Sequence, residues 1–268
     1  MKMAMEMVGL GAIAAYLGKD GLAKLLGPTA DYLGGELRDF AQKRVENVGK
    51  IFANASQKIS EEKESSGSVP PKVLRSILNE GSYSTDGMGV EYFGGILASS
   101  KSEEGRDDRG ARLALKVASL TVYQLRAHYL LYYALTLALK GKNLSFYPDR
   151  KGMQTFVTMN SFLECMDFSK KEYQQIDSLF SHIFSGLNQE GLIEQDYSYG
   201  QVDFIKTRYP KLNESGVLFI PTLAGVELFL WAFGYGEKHV NYFFDSEFSP
   251  SINDINCDAL MAKALFDF

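Results

Sequence analysis

From Leu33 onward the chain places apolar residues at Leu37, Ala41, Val45, Val48, Phe52, Ala55 and Ile59, in alternating steps of three and four. Arg38, Lys43, Arg44, Lys50 and Lys58 fall between them. This is the period of an amphipathic helix, and over about three heptads it is also the seam of a coiled coil. We expect a helix that packs on the protein's own core, with homo-oligomerisation through residues 33–59 as the alternative.

The pattern breaks at SEEKESSGSVPP (Ser60 to Pro71), where charge, serine, glycine and two prolines predict a linker over 61–71. It divides an N-terminal part, 1–60, from a helical core, 72–145, and a C-terminal region, 146–268. KVLRSILNEG predicts a short helix with Val73, Leu74, Ile77 and Leu78 inward and Gly81 as its C-cap. DGMGVEYFGGILASS predicts another, with Phe93, Ile96 and Leu97 forming its apolar face. Gly94 and Gly95 lower helix propensity there, which points to close backbone approach. A phosphate cradle would want a strand before them and a GK[ST] after, and neither is present. Asp107 or Asp108 should then cap one long helix, apolar on nearly every side between Leu113 and Leu139 and closed by Gly141. A helix with that pattern lies at the centre of a fold.

In the last third, KKEYQQIDSLFSHIFSGLNQEG predicts a helix with Tyr173, Ile176, Leu179, Phe180 and Ile183 inward. LIEQDYSY and GVLFIPT read as the strands of a hairpin, and TLAGVELFLWAFGYG as a helix capped by Thr222. The fold class is therefore mainly α, a helical bundle with a small C-terminal β-hairpin. Helix, strand, loop, strand is a winged-helix-like order. Read as a nucleic-acid binder, its recognition helix would span Lys170 to Leu187, with Lys170, Lys171, Gln174 and Gln175 outward. Lys206, Arg208 and Lys211 would reach phosphates, but Glu190, Glu194, Asp196 and Asp203 surround them. We expect the shape to serve protein packing, with no sequence-specific nucleic acid bound.

Composition agrees. A net charge of −5 argues against broad affinity for phosphate backbones. Cys165 and Cys257 stand alone in the sequence, which supports neither a disulfide framework nor a zinc site and fits a reducing cytoplasm. The opening MKMAMEMVGLGAIAAYLGKDG lacks the organisation of a secretory signal, and its uncharged run is too short to span a bilayer. Met7, Val8, Leu10, Ile13, Tyr16 and Leu17 nevertheless form an apolar arm available to a partner or a membrane surface.

Candidate chemistry is sparse. EEGRDDRG (Glu103 to Gly110) concentrates charge, and Arg106, Asp107, Asp108 and Arg109 form a candidate recognition loop. Arginine forks and carboxylates can bind a partner there, or cap the helix that follows. His128, His182 and His239 lack ligand spacing and no GxSxG frames a serine, so we expect no catalytic residue, metal or cofactor. His128 should be a hydrogen-bonded core residue, His182 should face the hairpin, and His239 should lie on a loop.

The stretch VPPKVLRSILNEGSYSTDGMGVEYFGGILASSKSEEGRDDRGA (Val69 to Ala111) resembles the signature of the abortive infection alpha family, bacterial proteins linked to phage defence. The similarity continues through Gly21 to Ala55 and Leu115 to Tyr132, about half the chain. It implies phage defence without supplying a mechanism. Joined to the residue reading, it predicts a non-enzymatic sensor, adaptor or effector that works through protein contacts with a phage component or a co-encoded protein. A membrane-perturbing effector and a winged-helix nucleic-acid binder are the alternatives.

Overall fold

The computed structural model describes residues 30–59, 67–84, 86–142 and 144–252, with 255, 257 and 259–265. Its helices are α1 (Ala30–Lys58), α2 (Pro71–Glu80), α3 (Gly87–Ser99), α4 (Arg109–Ser119), α5 (Val122–Leu139), α6 (Phe146–Asp149), α7 (Met159–Met166), α8 (Lys170–Tyr173), α9 (Ile176–Gln189), α10 (Val202–Arg208) and α11 (Leu223–Ala232). Four strands, β1 (Thr155–Thr158), β2 (Ser198–Gly200), β3 (Gly216–Phe219) and β4 (Ala262–Ala264), form one antiparallel sheet ordered β2-β3-β1-β4. The protein is mainly α with a minor β part.

The predicted hairpin is present as β2 and β3, with Ser198 opposite Leu218, and α10 forms within the loop that joins them. The sheet is larger than the expected hairpin. β1 lies at its middle, with Thr155 opposite both Phe219 and Ala264. All four β1 residues are buried, so the strand lacks the polar alternation that marks a half-exposed one. β1 leads into α7, a turn at Asp167, Phe168 and Ser169, then α8 and α9, β2 and β3. With α5 ahead of β1, this is the element order of a winged-helix module built on a helix-turn-helix.

The main apolar core runs from Ile51 to Ala264, with α5 at its centre, and a smaller cluster of Phe156, Ile205, Leu212 and Leu218 lies apart from it. The single long helix expected over 109–139 is two helices. Leu120 is extended, and Thr121 restarts the chain through a capping box in which its hydroxyl accepts from Gln124 N while the Gln124 side chain accepts from Thr121 N. Gly81 is the C-cap of α2 as predicted, its N–H donating to Ile77 O, with a φ of −63° that is right-handed and needs no glycine for itself. It is small because Ile51 Cδ1 lies 2.7 Å from where its Cβ would stand. A second correction concerns Tyr173, which is exposed where an inward position was predicted. The α1 seam also divides: Ala55 is buried against the body beside Ile51, which the predicted seam did not include, whereas Val45 and Phe52 face solvent.

The glycine pair of α3 does what its composition predicted. A Cβ on Gly95 would stand 1.7 Å from the carbonyl oxygen of Ala232, so the backbones of α3 and α11 touch. Lys58 meets the same carbonyl at 3.0 Å and also donates to Glu91 O and Glu91 Oε2. All three ammonium protons are thereby satisfied, as a buried charge requires. Burial lowers its pKa, and the hydrogen bond and charge of Glu91 oppose that.

His128, fully buried on α5, completes the frame as predicted. Tyr92 Oη of α3 donates to its Nδ1 at 2.7 Å, and Nε2 donates to Gly225 O of α11 at 3.2 Å. This assignment keeps the ring neutral, and burial holds its pKa down at about 3. Tyr132 Oη donates to Leu192 O at 2.6 Å and accepts from Thr222 N at 3.1 Å, which ties α11 and the start of the β2 segment to the same helix.

Gly95→Ala should destabilise the protein by roughly 3 kcal/mol or more, because the added methyl meets backbone that cannot rotate away; urea denaturation measures it. The pH dependence follows from His128. Its folded pKa lies below the ordinary 6.5, so stability is at its plateau above that value and falls as pH drops toward 3. The loss attributable to this ring is roughly 3–5 kcal/mol. In His128→Gln, stability should fall less steeply between neutral pH and about 4 than in wild type, a difference read from urea midpoints at each pH.

Candidate functional site

The charged loop between α3 and α4 is held from beneath. Ser99 Oγ donates to Trp231 O at 3.0 Å and accepts from Gly236 N at 3.1 Å. Ser68 and Ser102 exchange backbone hydrogen bonds at 2.9 and 3.2 Å, which joins the loop to the segment before α2. Gly105 takes a φ of +60°, a conformation that favours glycine. A Cβ on Gly110 would stand 2.1 Å from Ser100 Oγ, so α4 begins hard against the end of α3.

The four predicted residues divide by role. Asp107 Oδ1 accepts from the backbone N of Arg109 at 3.1 Å, and the carboxylate binds the Arg109 guanidinium in a fork with contacts of 2.6 to 3.0 Å. The Arg109 hydrogen bond holds the Asp107 carboxyl below the usual carboxylate range, and Asp107 in turn raises Arg109. The Arg109 guanidinium stands 5.2 Å from the ring centre of buried Trp231, a cation–π contact. Asp107 and Arg109 therefore fasten the loop to the core. Asp108 sits at the N-cap position of α4 but makes no side-chain cap bond; it pairs with Lys72 of α2 at 2.8 Å in solvent. The expected capping role thus belongs to neither carboxylate in its simple form, and the helix that follows is α4, not the central one. Arg106 is exposed and makes no hydrogen bond or ion pair among the described residues, and Glu103, Glu104 and Arg112 are exposed beside it in sequence.

Lys72 and Trp231 are the site residues that the sequence reading missed. A lysine beyond a predicted linker carries no local sign that it reaches Asp108. The chain's one tryptophan was placed on a helix, but the loop that would cover it could not be read from spacing.

The face formed by α8, α9 and the β2–β3 connection offers little to nucleic acid. Lys170, Lys171, Gln174 and Gln175 are exposed as expected, but α9 shows Asp177, Ser178, Ser181 and His182 to solvent. His182 does not face the hairpin; its Nε2 meets Thr121 Oγ1 at 3.1 Å, because the restart of the chain at Thr121 stands over that helix. Arg208 is held by Asp196 and by Ser198 Oγ, so the wing's arginine is neutralised within the wing. His239 lies at the N-cap of a 3-10 turn, where its Nδ1 accepts from Asn241 N.

The two cysteines come together in the core. Each thiol influences the titration of the other, and burial raises both, Cys257 to about 12. Such thiols are poor nucleophiles. Among the described residues no group of three His, Cys, Asp or Glu side chains is placed to hold a metal ion, and no helix is long and apolar enough to cross a membrane. Met7, Val8, Leu10, Ile13, Tyr16 and Leu17 lie outside the described residues. Comparison with family models, curated proteins and solved structures returned no match.

Asp107→Ala should lower stability by about 1 kcal/mol, through the lost bonds to Arg109. Asp108→Ala should change it by less than about 0.5 kcal/mol, because its only ion pair is exposed. Thermal denaturation of the two variants separates the roles; equal losses would return a capping function to Asp108.

Proposed function

We propose that this chain is a non-enzymatic, cytoplasmic phage-defence protein that recognises a protein partner, a phage component or a co-encoded protein, through the outer face of the loop from Glu103 to Arg109. The observation that carries this reading is the split within the loop. Asp107 and Arg109 are committed to Trp231 and to each other, while Arg106 projects from that frame without a partner among the described residues. A guanidinium presented on a fixed support loses little freedom on binding and suits a carboxylate on another protein. The phage context comes from the resemblance of Val69 to Ala111. Protein recognition is favoured over nucleic-acid reading because α9 presents no arginine and the wing spends Arg208 on Asp196.

Arg106→Glu should leave the melting temperature unchanged and reduce protection in a plaque assay by about tenfold or more, with loss of whatever wild-type protein co-purifies from infected cells. Unchanged protection would sink the loop as the recognition surface. Submicromolar, sequence-selective duplex binding at physiological salt would replace this reading with the nucleic-acid one.

A further inference from the structure

We propose that the outer face of α1 is a homodimer interface, on which two copies of the chain pair antiparallel about a two-fold axis close to Gly49. This stands independently of the phage-defence reading. α1 turns Ile51 and Ala55 into the core and fixes its inner side with Asn47 to Ser82 O and Ser84 O and with Lys58 to Ala232 O. Flanking that buried side, the helix carries Val45 at 56% exposure and Phe52 at 42%, seven residues apart and so on one stripe. Exposed aliphatic and aromatic side chains repeated at this spacing are the seam of a helix pair.

Gly49 lies on that stripe. Gly94, Gly95, Gly186 and Gly225, also in helices, each have an atom within 2.2 Å of where a Cβ would stand, and close packing explains them. Around Gly49 there is nothing within 4 Å. A mid-helix glycine weakens its helix relative to alanine, and here no contact among the described residues requires it. A second helix crossing at this point would.

Charge selects both the occupant and its direction. Glu46 and Lys50 are exposed on the same flank of the stripe. In an antiparallel pair centred near Gly49, Val45 of each copy meets Phe52 of the other, and Glu46 of each copy comes beside Lys50 of the other. The two-fold axis makes this favourable contact twice. In a parallel pair the two-fold axis runs along the helices and puts this flank of the two copies on opposite sides of the seam, so the Glu46–Lys50 contact is not made.

Sedimentation equilibrium of the full chain should show a concentration-dependent dimer. Phe52→Glu should raise its dissociation constant by about tenfold or more with an unchanged circular dichroism spectrum. Gly49→Gln, a change that adds no clash within one copy, should weaken the dimer as well. Lys50→Glu should weaken it through facing carboxylates, and combining Lys50→Glu with Glu46→Lys should restore it. A wild-type chain that stays monomeric at all concentrations would overturn the proposal, as would a dimer indifferent to both Phe52→Glu and Gly49→Gln. A dimer indifferent to Lys50→Glu would overturn the antiparallel arrangement.

Discussion

The carbonyl oxygen of Ala232, at the end of α11, is where three parts of the chain converge, and the packing of the helical core depends on it. Gly95 brings the backbone of α3 against it at a distance no other residue permits. Lys58 delivers an ammonium to it from the last turn of α1, where the negative end of the α11 dipole receives the charge. A carbonyl left over at a helix terminus must find a donor, and a buried lysine must find acceptors. Each need is met by the other, so α1, α3 and α11 are mutually fixed in a way that apolar contact alone would not impose.

The second polar thread runs through α5. Because His128 is neutral and donates to Gly225 O while accepting from Tyr92, the helix is locked in rotation about its axis. Tyr132, one turn later, reads the same neighbour through Leu192 and Thr222. An all-apolar helix can slide and rotate at little penalty, and these bonds select one register. The histidine, the tyrosine pair and Gly225 at the centre of the fold are each engaged by a partner within the core.

What remains for function is on the surface, and the surface is unevenly committed. In the C-terminal region the arginine of the β2–β3 connection is tied to Asp196, and α9 is neutral to acidic on its exposed side. A fold hosts many activities and does not choose among them; the side chains that it displays do. Among the groups exposed on the described residues are Arg106 on a stiffened loop and the Val45–Phe52 stripe on α1, the two surfaces on which the proposals above rest.

The local signals in the chain were enough to identify most helices, the β2–β3 hairpin, the buried character of α5 and His128, and the close approach at Gly94 and Gly95, because each is written in neighbouring residues: a 3.6-residue period, a cap, or a glycine where a helix can ill spare one. β1 and β4 were not legible, since a strand of three or four residues enclosed by a sheet owes its existence to the partners beside it. The break at Thr121 was legible in its Thr-x-x-Gln box but was masked by apolar residues continuing on both sides. Which face of α1 would be buried could not follow from its period, because Val45, Val48, Ile51, Phe52 and Ala55 offer more apolar surface than one neighbour can cover. That choice, like the pairing of Asp108 with Lys72, the meeting of Cys165 with Cys257 and the seating of Arg109 over Trp231, was made only when distant segments packed, because burial and charge pairing depend on distance in space and the sequence records only distance along the chain.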